Sequence, residues 1–129
     1  MTSSWYNELK RPRFTPPNKA FGIVWSILYL LIFISLGIYL FAPVKPNLPV
    51  TVGVLIVHAL ASVSWTPLFF RQHKMLAALF DILLLDVTLV AIITLFLQVS
   101  LVAALLLIPY LCWGLFATYL NLAFYRLNR

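Results

Sequence analysis

Polar positions in this chain come in short clusters, and between the clusters lie four uninterrupted apolar stretches. They run roughly over 20–42, 50–70, 75–97 and 101–125. Each is about 20 residues or more, the length that crosses a ~30 Å hydrocarbon layer at 1.5 Å per residue. None alternates with the period of a strand, so helices rather than a barrel would satisfy the backbone in lipid. The pattern predicts an all-α fold. It is a single membrane domain over 1–129, a polytopic bundle of four transmembrane helices behind a capping segment at 1–19.

The polar breaks mark the ends of these helices. "APVKPNLP" carries three prolines and separates the first and second, "RQHK" is a tight basic turn between the second and third, and "QVS" divides the third from the fourth. No linker, low-complexity tract or fixed-period repeat interrupts them. The first nineteen residues contain no apolar core, so the expectation is that the first helix, not a cleaved leader, is the insertion signal.

Composition changes the picture in one respect: it names the solvent. The chain is 64% hydrophobic and 9% charged, with a mean hydropathy of +1.02. Three acidic and nine basic side chains cannot coat a soluble domain of this size, so the apolar exterior must face lipid.

Charge then predicts orientation. A four-helix path puts Lys10, Arg11, Arg13, Lys19, Arg71, Lys74, Arg126 and Arg129 on one side and only Lys45 on the other. Such an imbalance predicts a multi-pass protein with both termini cytoplasmic, in a bacterial inner membrane or an organelle membrane. Topology and anionic headgroups account for the net charge of +6, and no nucleic-acid partner is implied.

Three ionisable groups fall inside the predicted spans: His58, Asp81 and Asp86. A carboxylate at the bilayer centre costs about 2.5–3.5 kcal/mol, so each needs a partner or a wet cavity. About the "RQHK" hairpin, His58 lies fourteen positions before Gln72 and Asp86 fourteen after it, while Trp65 lies seven before and Asp81 nine after. Depth therefore pairs His58 with Asp86, and the Trp65 indole with Asp81. The two aspartates, roughly 140° apart around a helix, cannot share one face. Interhelical glue, protonated acids kept neutral by burial, and a role in ligand or proton handling all remain open for these groups.

The aromatic residues fall into stripes. Phe21, Trp25 and Tyr29 follow one face of the first helix. His58, Ser62, Trp65 and Phe69 follow one face of the second, and Tyr110, Trp113, Ala117 and Asn121 one face of the fourth, after a proline that permits a kink. Packing or an interfacial belt would explain any single aromatic, but three helices each adding a tryptophan predict a shared aromatic-walled pocket.

Other chemistry is thin. No phosphate loop, nucleophile constellation, haem-attachment motif or metal-ligand spacing occurs, and the lone Cys112 cannot close an intrachain disulfide.

Four segments carry a resemblance: "WYNELKRPRFTPPNKAFGIVWSILY", "WTPLFF", "ALFDILLLD" and "PYLCWGLFATYLN", in that order. Together they resemble the translocator protein family, whose bacterial members are the tryptophan-rich sensory proteins. The likeness covers nearly the whole chain. It implies a compact membrane bundle, usually a homodimer, that binds porphyrins, sterols and aromatic synthetic ligands. It also implies that the segment before "TPP" caps a pocket opening on the cytoplasmic side, with Arg11, Arg13 and Lys19 as partners for ligand carboxylates. Porphyrin degradation in light is associated with two family tryptophans, which match Trp25 and Trp113. Ala117 and Leu120 match positions at the ligand site or the adjoining sterol segment, and Asp81 matches the family acid.

The chain also departs from the family pattern. Family members have five spans, and this chain starts at what is normally the loop after the first, so a bundle with one wall fewer is expected. Lys19, Ala77, Ser62 and His58 stand where the family usually has tryptophan, an aromatic, asparagine and glutamine. Leu122 replaces a tyrosine of the animal sterol segment.

The expected ligand is therefore protoporphyrin IX, haem or a sterol-like molecule, with no required cofactor and no metal. Its contacts would come from Phe21, Trp25, Tyr29, Ser62, Trp65, Asp81, Tyr110, Trp113, Ala117 and Leu120. A transport or sensing role leads. Light-dependent porphyrin breakdown at Trp25 or Trp113, and a ligand-free assembly role using small residues such as Gly114, are the alternatives.

Overall fold

A computed structural model describes residues 9, 15 and 17–128 and is helical along all four expected spans. Helix α1 covers Asn18–Phe41. Its N-cap Pro17 is extended (φ −60°, ψ 150°), and its carbonyl accepts the first bond from the Ala20 N–H at 2.9 Å. The double proline thus stops just short of the helix. At the other end Ala42 is extended again, as the residue before a proline prefers.

Helix α2, Leu48–Thr66, starts from Asn47 in the left-handed region (φ 58°), a conformation asparagine tolerates better than most residues. Pro49 sits in its first turn, where no hydrogen bond is lost. Pro67 then ends the regular α-helix because it has no N–H and its ring presses on the preceding turn. The chain widens into a π-helical turn over Pro67–Arg71, closed by Gln72 N–H to the Pro67 carbonyl at 2.9 Å.

Helix α3 spans Met75–Leu97. The fourth apolar stretch is divided in two, α4 over Leu101–Leu106 and α5 over Ile108–Asn128. The break falls at Leu107, two residues before the proline expected to permit a kink. Pro109 cannot donate back to the preceding turn, so the ladder fails there, and the Leu107 N–H takes the tighter bond to the Ala104 carbonyl at 3.1 Å.

Helix α3 is the centre of the bundle. It packs between α2 and α5 and also touches α4, while α1 lies on the far flank against α4 and, less closely, α5. Its buried side chains run its full length, from Ala78 to Phe96. Among its described side chains α1 buries only Leu28, Ser35 and Tyr39. Its opposite face is apolar and turned outward: Phe33 is 67% exposed and Phe41 91% exposed, a surface that suits lipid and not water.

Two packed layers close the bundle. The layer at the Lys45 end joins α1, α3 and α4: Tyr39 stacks on Phe96 with ring centres 4.5 Å apart and planes 6° from parallel. Ala103 and Ala104 let α4 approach, and the buried Ser35 hydroxyl donates to the Ala103 carbonyl at 2.7 Å. Asn47 Nδ2 donates to Gln98 Oε1 at 3.0 Å and ties the two loops of that end together. The layer at the other end joins α2, α3 and α5 through Phe69, Ala78, Leu120 and Phe124. Helices α1 and α2 are not closely packed against each other, so the bundle is shut at one end and spread at the other.

Phe96→Ala should destabilise the protein by about 3 kcal/mol, since it empties a fully buried stack. Phe33→Ala should cost far less, within about 0.5 kcal/mol, because that ring is 67% exposed to lipid and stacks only loosely, at 6.4 Å, on the equally outward Tyr29. Reversible unfolding in mixed micelles measures both, and equal losses would contradict the assignment of inner and outer faces.

Candidate ligand-binding cavity

Where α1 and α2 diverge, a cavity of about 340 Å³ enters the bundle between α1, α2 and α5, with α3 as its floor. That volume is typical of small-molecule sites. The wall is largely aromatic, and α1 and α5 meet there through rings rather than through backbone. Trp25 of α1 meets Trp113 of α5 edge to face at 6.5 Å and Tyr110 at 6.2 Å, and Phe21 meets Trp113 at 5.6 Å. These are favourable edge-to-face separations. Tyr29 continues the wall outward from Trp25 and is 53% exposed, at the mouth.

The second wall comes from α2 and its π-helical turn. Trp65 stacks on Phe69 at 5.1 Å and meets Phe70 edge-on at 5.9 Å. The wide turn after Thr66 leaves Phe69 and Phe70 both facing the cavity, although they are neighbours in sequence. Such turns recur at functional sites.

All three stripes read from the sequence thus converge. Phe21, Trp25, Tyr29, Ser62, Trp65, Tyr110, Trp113, Ala117 and Leu120 line one void, together with His58, Asp86 and Asn121. Asp81 does not line it. One of its carboxylate oxygens is buried with no hydrogen-bond partner among the described residues. Lys19 is exposed on the first turn of α1 and is not part of the cavity wall; Arg11 and Arg13 lie outside the described residues. Gly114 and Ala117 serve the void as well. Their small size leaves room in the wall, where the sequence had suggested close helix contact.

Both expected polar pairs are replaced by others. His58 does not meet Asp86: its Nδ1 lies 2.7 Å from Thr88 Oγ1 and its Nε2 2.9 Å from the Tyr110 hydroxyl. Equal depth about the hairpin was a sound inference, but it cannot choose a face, and on α3 Thr88 rather than Asp86 turns to α2. Asp86 instead accepts the Thr118 hydroxyl of α5. Trp65 does not meet Asp81 either. Its indole N–H donates to Asn121 Oδ1 at 2.9 Å, and Asn121 Nδ2 donates to the Met75 carbonyl at 2.9 Å.

Thr88, His58 and Tyr110 form one network. The Thr88 hydroxyl lies 2.8 Å from the Leu84 carbonyl one turn back and 2.7 Å from His58 Nδ1, and His58 Nε2 lies 2.9 Å from the Tyr110 hydroxyl. Each contact pairs a group able to donate with one able to accept, as burial in lipid demands.

Thr88, Gly114 and Thr118 were not singled out from the sequence as part of the polar network. For Thr118 a signal was present, because Tyr110, Gly114 and Thr118 recur at four-residue spacing on one face. The widened turn after Thr66 was signalled only by Pro67.

Four apolar spans around an aromatic, ligand-sized void define a polytopic helical membrane protein with a cavity among its spans. The comparisons with known proteins agree with that class. The chain belongs to the TspO/MBR family, whose profile matches residues 1–126. It is 39% identical over 129 residues to the tryptophan-rich protein TspO of Chlorobaculum tepidum, covering 98% of this chain and 81% of that one. The human translocator protein is 34% identical over 131 residues, covering 96% and 75%. The tryptophan-rich sensory protein of Cereibacter sphaeroides is 31% identical over 128 residues, covering 96% and 77%.

Asn121→Leu keeps the branched outline of a buried side chain but leaves the Trp65 indole N–H without its acceptor. The expected loss is about 1–3 kcal/mol for the group left unmet, with a shifted tryptophan emission. An unchanged emission spectrum and an unchanged melting point would show that this bridge does not position Trp65.

Proposed function

We propose that this membrane protein takes a planar tetrapyrrole, protoporphyrin IX or haem, into the cavity between α1, α2 and α5, and acts in its transport or sensing. One observation carries the reading: Trp25, Trp65 and Trp113, from three different helices, face one void. Indole faces suit a macrocycle, and an apolar wall with a few convergent polar groups is the usual form of a small-molecule site. Names of relatives support the role in general terms, since they denote sensing and translocation. Lys19, and in the sequence Arg11 and Arg13, are the cations available to ring carboxylates. The excess of cations on that side of the predicted topology favours cytoplasmic termini.

A second reading rests on the Trp25–Trp113 contact at 6.5 Å. Two indoles this close to a bound chromophore could be oxidised in light and initiate its breakdown.

Titrating protoporphyrin IX into the purified protein should quench tryptophan emission to saturation. Replacing Trp25 and Trp113 together by phenylalanine should weaken binding about tenfold or more, given 0.5–1.5 kcal/mol for each aromatic pair beyond area burial. Unchanged saturation in the double variant would contradict the site. Illumination of the complex separates the two readings: a new bilin-like absorption band supports breakdown, and a stable porphyrin spectrum supports binding alone.

Orientation is tested by single cysteines in a Cys112→Ser background. Lys74→Cys in intact cells should resist an impermeant maleimide and Lys45→Cys should react. The reverse pattern would invert the topology.

A further inference from the structure

The cavity wall carries an acid that neither the aromatic rings nor a tetrapyrrole accounts for. The sequence has three acidic residues, Glu8, Asp81 and Asp86, and among the described residues Asp86 is the one acid on the cavity wall. It is 8% exposed. Among the described residues no lysine or arginine lines the void, and both ring nitrogens of His58 are engaged elsewhere.

The surroundings are built for the carboxylate. Thr118 hydrogen-bonds Oδ2, while among the described residues nothing donates to Oδ1. A Cβ at position 114 would stand 2.9 Å from Oδ1, so glycine there is what leaves the carboxylate its place. Gly114 and Thr118 lie one turn apart on α5, and together they seat Asp86 at the edge of the aromatic wall formed by Trp25, Tyr110 and Trp113. Aromatic faces attract cations, most strongly where water is excluded, and a carboxylate beside them adds a counter-charge. In lipid a carboxylate lacking a cation is costly, so a ligand that brings one gains that energy on binding.

We propose that this cavity recognises hydrophobic ligands that carry a protonated amine, with Asp86 as counter-ion and Trp25, Tyr110 and Trp113 as the surrounding rings. The ligand class is a cationic amphiphile: one aromatic or alicyclic body, one ammonium group. The inference rests on the cavity being a ligand site but not on a tetrapyrrole being the ligand.

The test compares two probes on the full chain in detergent micelles. One is a naphthalene bearing a dimethylaminoalkyl chain, protonated at neutral pH; the other is its neutral isostere with carbon in place of nitrogen. The protein should bind the ammonium probe about tenfold more tightly or better. Asp86→Asn should bring the two probes to within about twofold, and Thr118→Val, which keeps the carboxylate, should retain the preference.

Equal binding of both probes by the unmodified protein would overturn the proposal, as would a preference that survives Asp86→Asn. If Asp86→Asn does not fold, infrared difference spectra of the unmodified protein and of Asp81→Asn decide. An ionised carboxylate band perturbed by the ammonium probe, still present in Asp81→Asn, supports the pairing; no perturbed carboxylate band in Asp81→Asn overturns it. Protoporphyrin binding with no response to either probe would sink the ammonium site and leave the tetrapyrrole reading standing. The converse result would remove the tetrapyrrole and keep Asp86.

Discussion

The attachment of α1 at a single end governs the rest of the structure. At the Lys45 end the Ser35–Ala103 hydrogen bond and the Tyr39–Phe96 stack hold it against α4 and α3. Beyond Leu28 toward its N-terminus, α1 reaches its neighbours only through rings. In lipid no hydrophobic force pulls helices together, so close packing and internal hydrogen bonds decide where they touch. Small residues and a buried hydroxyl occur at one end of α1 and bulky aromatics at the other. A bundle that is tight below and open above follows from that distribution, and the cavity is the open part.

Proline chemistry shapes the two walls that face α1. Pro67 converts the last turn of α2 to a wider one, and two successive phenylalanines reach the void. Pro109 separates α4 from α5, so α4 can serve the tight end while α5 runs along the cavity. Each irregular turn is possible in a membrane because its freed groups find bonds within the protein: Gln72 to Pro67, and Leu107 to Ala104. Backbone irregularity and the binding space are therefore one feature.

The spans were legible because a 20-residue apolar run has few alternatives, and the third is found at residues 75–97 as read. The aromatic stripes were legible for a similar reason. A ring at four-residue spacing keeps its face along a helix, and three such faces on one small bundle have little choice but to meet. The polar pairs were not. Hairpin geometry supplies depth and not rotation, and two steps of about 100° along α3, from Asp86 to Thr88, decide whether His58 finds a carboxylate or a hydroxyl. Thr88 and Thr118 were overlooked because threonine in a membrane helix can satisfy itself on the preceding turn, as both do here, and so leaves no deficit to trace.

The two threonines nevertheless take different partners. Thr88 reaches back to the Leu84 carbonyl and across to His58, which in turn meets Tyr110, so both ring nitrogens are engaged. Thr118 reaches back to the Gly114 carbonyl at 2.8 Å and across to Asp86, and its single hydrogen serves one acceptor at a time. One network joins two hydroxyls and an imidazole. The other, on the same helices, ends in a carboxylate whose Oδ1 meets no donor among the described residues. Two residues along α3, about 200° of rotation, separate Asp86 from Thr88 and keep the imidazole off the carboxylate. The absence of a side chain at Gly114 leaves room beside Oδ1, and the acid keeps its place on an otherwise apolar wall.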